Sequence, residues 1–267
     1  FELFARAIDS PEAHPQFNRA WPPPCETESP ADHRLATHLG EVLLAFRTLD
    51  RRLRRPIRDC VQEMVGGMRT MIRGSHDARG VRFVCADLDQ LERYCHHVAG
   101  TVGVMLTELF GVVVAKDAHF SVDSVRLEQG RRFGLGLQLT NILKDRRVDW
   151  QRGVSFLPPG WLEPATGQFD ASRRRQLIER ALSHLDQAHR YTLTLPPSPP
   201  GLRLFCLWAL WMALATLREI GRDRQLSPKI TREEVAQIVA FTRAHTADDA
   251  ALDRRFTDYR AQVGAAL

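Results

Sequence analysis

Apolar residues recur at a spacing near 3.6 through most of this 267-residue chain. That period places them along one side of an α-helix, whereas a half-buried strand would alternate apolar and polar residues. No run of four to eight residues alternates convincingly. The helices predicted on this basis cover 34–50, 51–73, 87–110, 122–148, 171–193, 202–223 and 231–245. The chain is therefore predicted to be all-α, with little or no sheet.

Helix-breaking glycines and prolines lie between these segments, at 74–75, 158–160 and 196–201 and throughout the proline-rich region 11–30. Thr231 followed by Glu234 is a capping-box pattern that predicts a helix start. There is no obvious internal repeat, so we expect one helical domain over residues 1–267. The first residues, FELFARAID, are themselves helical in pattern.

Three oxygen-bearing side chains, Asn141, Asp145 and Asp149, follow one another at intervals of four residues. On a helix this spacing stacks them on one face, each about 6 Å above the last. An amide and two carboxylates suit Mg²⁺ shared with a phosphate-bearing ligand, because Mg²⁺ prefers oxygen ligands. A merely solvated helix face is the alternative. The apolar run 133–143 that leads into this face favours a buried helix, whose polar groups need partners.

Positive charge surrounds this face, from Lys144, Arg146, Arg147 and Arg152. Cations beside metal-binding carboxylates indicate an anionic ligand such as a diphosphate. Across the whole chain the formal net charge is +5. That mild excess fits an anionic small substrate, a membrane surface or nucleic acid. No nucleic-acid-binding motif accompanies it, so we expect no nucleic-acid partner.

The most apolar run, Leu204–Leu217, is bounded by Arg203 and Arg218. Its 14 residues fall short of the roughly 20 that span a bilayer, which favours a buried core helix over one that dips into a membrane. The five cysteines are scattered and odd in number, so neither a disulfide framework nor a zinc site is expected. A reducing, cytoplasmic compartment is the expected location. A peripheral contact with a membrane is a further expectation.

Small residues interrupt two helical patterns, at Gly66-Gly67 and at Ala99, Gly100 and Gly103. Glycine inside a helix costs about 1 kcal/mol relative to alanine, so a close approach to the backbone is expected. The partner is either another helix or a long apolar chain in a channel, and spacing alone leaves both open. Before the second group, Tyr94 is either a satisfied core tyrosine or a ring that stabilises a cation and moves a proton. His96 and His97 are adjacent, so an α-helix would direct them to different faces and make them a poor metal pair.

Together these segments resemble the squalene/phytoene synthase family. LERYCHHVAGTVG is similar to the family's tyrosine-cysteine-x-x-valine-alanine-glycine helix, and FGLGLQLTNILKDRRVDWQRGVSFLP to its second aspartate-rich region. EMVGGMRTMI resembles the glycine-methionine helix of squalene synthases. LFCLWALWMALATL resembles the apolar helix of the pocket, and PKITREE the basic segment that contacts a nicotinamide cofactor.

The resemblance implies the all-α isoprenoid synthase fold around a central cavity. It implies head-to-head condensation of two prenyl diphosphates with Mg²⁺, followed in squalene formers by reduction with NADPH. Farnesyl diphosphate and squalene are favoured here over geranylgeranyl diphosphate and phytoene, on the glycine-methionine helix and Lys229. Dehydrosqualene synthase and a relative that binds prenyl diphosphates without turnover are the alternatives.

By the resemblance, the metal and the diphosphate would be bound by Asn141, Asp145 and Asp149 of this chain. It makes the two aspartates and Tyr94 the catalytic residues.

Further residues would bind substrate or cofactor. Gln138 and Lys144 would line the metal and diphosphate site, Phe205 would shield the carbocation, and Gly103 would open the substrate groove. Lys229, with Lys144, would contact the phosphate of NADPH.

Three departures accompany the resemblance. Val148 stands where the family has an acid, and Val154 where it has an arginine. The family's first aspartate-rich motif has no counterpart before residue 90. Either it lies upstream of Phe1, together with further N-terminal helices, or this protein lacks it. The combined expectation is a dry, elongated pocket walled by helices 91–110 and 202–218. Asn141, Asp145 and Asp149 would line its polar end, with Tyr94 between that end and the pocket.

Overall fold

The computed structural model describes residues 2–10, 30–71, 75–76, 80–114, 120–162, 169–222 and 229–267. The proline-rich region 11–30 therefore lies almost entirely outside the described residues. The helices are α1 (Glu2–Asp9), α2 (Pro30–Thr37), α3 (Leu39–Thr48), α4 (Arg51–Met71), α5 (Leu88–Cys95), α6 (Thr101–Val113), α7 (Ser124–Gln151), α8 (Ala171–Thr194), α9 (Gly201–Arg222), α10 (Arg232–Ala244) and α11 (Asp249–Ala265). A π-helical turn, His96–Gly100, joins α5 to α6. The all-α prediction is confirmed.

Three details differ from the helices predicted from sequence. The segment 34–50 forms two helices that meet at His38. The segment 87–110 is continuous but contains the π turn. Helix α11 was not predicted, although Leu252, Phe256, Tyr259 and Val263 repeat at helical spacing and are buried. Many charged residues separate these four, which lowers the apolar content of the segment and hides its period.

Strand structure in the described residues is limited to three two-residue strands, β1 (Ser75–His76), β2 (Arg82–Phe83) and β3 (Val154–Ser155). Strand β2 pairs antiparallel with β1 and parallel with β3, so that Phe83 lies opposite Ser155. Gly153, at φ +73°, makes the turn between α7 and β3. The sheet thus ties the carboxyl end of α7 to the chain that enters α5.

Helix α7 packs against α6, α8, α9 and the π turn. Its contact with α6 and the π turn is close, because a Cβ at Gly134 would overlap the backbone of Ala99. Likewise a Cβ at Gly103 would overlap the carbonyl oxygen of Gly130. Two backbones can approach this closely only where one side chain is absent. The helix-packing reading of the small residues is therefore right for Gly103.

Helix α9 is a core helix, as predicted, with Leu207, Leu210, Trp211 and Leu214 fully buried. The stretches Leu88–Val113 and Gly201–Arg222 are long and apolar enough to cross a bilayer. Buried helices of soluble proteins satisfy the same criteria, so this is weak evidence for a membrane span. Helix α10 begins as its sequence predicts, since Thr231 Oγ1 accepts a hydrogen bond from the Glu234 amide at 3.1 Å.

Candidate active site

A cavity of about 320 Å³ lies between the π turn and α6 on one side and α7, α8 and α9 on the others. Its lining is mostly aliphatic, aromatic and glycine. The lining residues are Val98, Ala99, Val102, Gly103, Leu106, Phe110, Gly130, Phe133, Gly134, Leu137, Gln138, Asn141, Tyr191, Phe205, Cys206 and Ala209. The predicted apolar pocket between helices 91–110 and 202–218 is confirmed.

The cavity is elongated and has two different ends. Helices α6 and α7 are antiparallel, since Gly103 faces Gly130 and Ala99 faces Gly134. From Gly130 to Asn141 the cavity follows α7 for about 16 Å, at about 1.5 Å per residue. Polar Gln138 and Asn141 therefore mark one end, and aromatic Phe110 marks the other.

Tyr191 of α8 is a polar group in the cavity wall that sequence analysis did not single out. Its hydroxyl lies 3.0 Å from Thr107 Oγ1, which in turn donates to the carbonyl of Gly103 at 2.8 Å. The Tyr191 ring packs edge-on against Phe133, with centroids 6.3 Å apart. Both the hydroxyl and the ring are thereby satisfied, so Tyr191 contributes an apolar surface to the cavity.

Only the first member of the predicted oxygen face lines the cavity. Asn141 does, whereas Asp145 and Asp149 continue the same face of α7 one and two turns beyond it. The prediction that all three line the cavity is therefore wrong for the two aspartates. Helix α7 extends past the apolar centre of the molecule, and the Asp145 side chain is 49% exposed.

A lysine ammonium already holds part of this face together. Lys144 Nζ lies 3.3 Å from Asn141 Oδ1 and 3.3 Å from Asp145 Oδ2. Burial raises the pKa of Asp149, and so does the nearby charge of Asp145, while Arg152 opposes them. A carboxylate whose ionisation is opposed by a neighbouring carboxylate suits a divalent cation shared by both, which would relieve the repulsion. The oxygen donors present thus fit Mg²⁺.

The cations that flank this face differ in their orientation. Arg146 is 3% exposed, and its guanidinium donates a 2.6 Å hydrogen bond to the carbonyl of Leu143. Arg147 and Arg152 are exposed. Arg146 is therefore a buried residue that binds the backbone of its own helix. The positive charge nearest the oxygen face comes from Lys144 and Arg152.

Tyr94 lies close to this polar end but is not among the cavity-lining residues. It is 8% exposed, and its ring packs against Phe156 with centroids 4.9 Å apart. Burial raises the pKa of Tyr94 to about 12, with a contribution from the charge of Asp149. The phenol therefore stays protonated at neutral pH and lies within electrostatic reach of the oxygen face.

Arg82 is a further cation at this end that sequence analysis missed. Its positive charge lowers the pKa of Tyr94, against the effect of burial. The β2–β3 pairing places it there, through a 2.8 Å hydrogen bond from the Arg82 amide to the carbonyl of Gly153. It lies 42 residues before the start of α7 in sequence, so only the tertiary pairing could identify it.

The remaining predicted site residues lie apart from the oxygen face. Phe205 lines the aromatic end, where its ring meets Phe110 edge-on at 6.1 Å, and it is 54% exposed. Lys229 is exposed in the segment that leads into α10 and is not a lining residue of the cavity. The fold thus brings together Gln138, Asn141 and Lys144, with the two aspartates and Tyr94 adjacent.

Comparison with known proteins agrees with this architecture. The model of the squalene/phytoene synthase family matches residues 4–234. The 15-cis-phytoene synthase of Pantoea ananas is 35% identical over 140 residues, which cover 51% of this chain and 42% of that protein. The squalene synthase of Rattus norvegicus is 26% identical over 227 residues, which cover 80% of this chain and 51% of that protein.

The solved structures extend the likeness to the whole fold. The complex of TcSQS with the ligand E5700 superposes with a TM-score of 0.72 at 21% identity, covering all of this chain and 82% of that one. The isoprenoid synthase fold is therefore confirmed. The matched segments span about half the length of the curated relatives. Since the family model covers most of the chain, the protein belongs to the squalene/phytoene synthase family.

Proposed function

We propose that this protein condenses two prenyl diphosphates head to head. One observation carries the proposal: an elongated apolar cavity ends at Asn141, where the oxygen-bearing face of α7 begins. A prenyl diphosphate has the same division, a long apolar chain with an anionic head. Each buried methylene of such a chain contributes about 0.8 kcal/mol, so the cavity supplies affinity and the polar end supplies orientation.

Magnesium is proposed as the metal of this site, with Asn141, Asp145 and Asp149 as its protein ligands. When bound, it would neutralise the diphosphate as negative charge develops on the departing group. Lys144 and Arg152 add positive charge at the same end and stabilise the same anion. Gln138, at the cavity edge, would orient the head group by hydrogen bonding.

The proposed role of Tyr94 follows from its protonated phenol and its position beside the oxygen face. A neutral hydroxyl can donate a hydrogen bond to a leaving diphosphate oxygen, and the ring can stabilise a neighbouring cation. Phe205, at the opposite end, would bind the tail of the chain and exclude water. This placement favours a tail-binding role for Phe205 over shielding of a carbocation at the head-group end.

Farnesyl diphosphate, with squalene as product, is the first candidate substrate. The supporting observations are the glycine-methionine helix and the longer alignment with a squalene synthase, over 227 residues. Geranylgeranyl diphosphate, with phytoene as product, is the second candidate. It is favoured by the higher identity to a phytoene synthase, 35%. NADPH would be required for squalene alone, and its proposed contacts, Lys144 and Lys229, rest on the family resemblance.

A peripheral contact with a membrane is also proposed, at the aromatic end of the cavity. Phe205 is 54% exposed there. Val113 and Val125, both 63% exposed, lie one to two turns beyond the cavity-lining Phe110 and Gly130 on α6 and α7. An apolar rim at the mouth of an apolar cavity would let a prenyl chain pass from lipid to protein. Flotation with lipid vesicles, compared between the wild type and Phe205→Ser with Val113→Ser, tests this contact.

The function is tested by incubating the purified protein with Mg²⁺ and each substrate, with and without NADPH, and identifying the hydrocarbon by mass spectrometry. Squalene that appears only with NADPH supports the first candidate, and phytoene supports the second. The matched variants are Asp145→Asn, expected to lower turnover at least 100-fold, and Glu179→Gln, an exposed acid of α8 expected to have no effect. Binding of both diphosphates with no product would indicate a relative that binds without turnover.

A further inference from the structure

His96, His97 and Glu63 converge outside the lining of the cavity. One potential ligand atom of each lies within 4.8 Å of the others. His96 Nε2 is already 2.8 Å from Glu63 Oε1. The sequence predicted that the adjacent histidines would diverge, and that prediction is wrong. They lie in the π turn His96–Gly100, which departs from the α-helical spacing on which the prediction was based.

Two glycines make room for the two imidazole rings. A Cβ at Gly67 of α4 would overlap the ring of His97. A Cβ at Gly100 would come within 2.7 Å of His96 Nδ1. The rings are therefore seated against the backbones of α4 and of the π turn, with centroids 5.3 Å apart. Such seating fixes the orientation of the histidines before any ligand arrives.

The rings also retain unused hydrogen-bonding capacity. Nδ1 of His96 and Nδ1 of His97 are buried and have no hydrogen-bond partner among the residues that the structure describes. Buried polar atoms are normally paired, and unpaired ones call for an explanation. A metal ion can engage such a ring without removing its N–H proton, because a neutral imidazole coordinates through the lone pair of its unprotonated nitrogen.

We propose that Glu63, His96 and His97 form a binding site for a transition-metal ion, with Zn²⁺ as the best match. Two imidazole nitrogens and one carboxylate oxygen are a common three-ligand set for zinc, with water in the fourth position. They differ from the oxygen donors of α7, which suit Mg²⁺. Zinc–ligand bonds of about 2.0–2.2 Å at tetrahedral angles hold ligand atoms about 3.3–3.6 Å apart. His96 Nε2 and Glu63 Oε1, now 2.8 Å apart, would therefore separate slightly as the ion enters between them. The Glu63 side chain is 52% exposed and can rotate to close the site.

The ion would join α4 to the π turn. Val98 and Ala99, the next two residues, line the cavity, so the bound metal would hold one wall of the cavity in place. Binding to the folded state alone raises its stability by mass action. We therefore expect Zn²⁺ to raise the thermal midpoint by several degrees.

Zinc binding is measured on tag-free full-length protein treated with a chelator and then titrated with Zn²⁺ by calorimetry and thermal denaturation. The expected result is one high-affinity ion per chain and a raised midpoint, with no comparable response to Mg²⁺ in the absence of diphosphate. Co²⁺ substitution should give the visible absorption of a four-coordinate site. Absence of Zn²⁺ binding by the wild type overturns the proposal.

Variants locate the site. Glu63→Gln and His96→Ala are expected to weaken Zn²⁺ binding at least tenfold, while His38→Ala, at an exposed histidine of another region, should not. Glu63→Gln is the decisive variant if His96→Ala does not fold, because Glu63 is exposed and its amide analogue preserves the packing of both rings. Unchanged Zn²⁺ affinity in folded Glu63→Gln overturns the proposal.

Discussion

The carbonyl oxygen of Gly130 occupies the space that a Cβ at Gly103 would need. Helices α6 and α7 therefore meet backbone to backbone at this point. Both residues also line the cavity, so the helix contact and the cavity wall are formed by the same glycines. The two readings of the small residues, helix packing and a channel wall, thus describe one structural feature.

Gly103→Ala is expected to destabilise the fold, because its methyl group would force the α7 backbone away. Overpacking of this kind costs about 1–3 kcal/mol, and a rigid backbone neighbour favours the upper end. Urea denaturation gives the free energy of unfolding. Gly66→Ala is the matched control, since nothing lies within 4 Å of its Cβ position. That variant should gain up to about 1 kcal/mol from helix propensity. Equal effects of the two substitutions would contradict the close approach.

Asp149→Asn is expected to stabilise the metal-free protein at neutral pH. The folded-state pKa of Asp149 is raised, so ionisation opposes folding, and the folded state loses stability as the pH rises through that pKa. Removing the charge should raise the thermal midpoint at pH 7 by about 1–2 °C. The difference from wild type should shrink as the pH is lowered to the range where Asp149 is protonated. A lower midpoint at pH 7 would show that the carboxylate stabilises the fold.

The contribution of Glu92, in α5, to the stability of the fold has the opposite pH dependence. His184 and Arg180 of α8 lower its pKa from 4.5 to about 2. The pairing therefore contributes full stability above about pH 4.5, and that contribution is lost as the pH falls toward 2. Glu92→Gln should lose about 1–2 kcal/mol at pH 7, discounted for partial solvent exposure, and much less at pH 3. Urea denaturation at the two pH values tests this, with Glu179→Gln as the exposed control.

Most of the helices, and the residues that share one helix face, could be predicted from the sequence. Helical periodicity identified the segments that became α4, α7, α8 and α9, and four-residue spacing identified the oxygen face of α7. The point at which that face leaves the cavity could not be predicted, because it depends on where α7 extends beyond its neighbours.

Other site residues could not be predicted, because contacts between residues far apart in the sequence bring them together. Arg82 reaches the polar end only through the β2–β3 pairing, which consists of two residues per strand and leaves no alternating pattern. His96 and His97 converge on Glu63 only because of one π turn, and a single-turn change of helix type has no periodicity of its own.

Ala209→Phe is expected to convert the cavity from a long to a short apolar pocket. Ala209 lines the cavity from α9, and a phenyl ring there would take the space of several methylenes. Losing two buried methylenes costs about 1.6 kcal/mol, or somewhat more than tenfold in affinity. Calorimetry should therefore show farnesyl thiodiphosphate binding at least tenfold more weakly to the variant than to the wild type.

The affinity for dimethylallyl thiodiphosphate should change less than threefold, because its short chain stays near the polar end. Ala261→Phe, on the exposed side of α11, is the matched control and should bind both ligands as the wild type does. If farnesyl and dimethylallyl ligands bind the wild type equally, or if both weaken alike in Ala209→Phe, the cavity does not hold the prenyl chain.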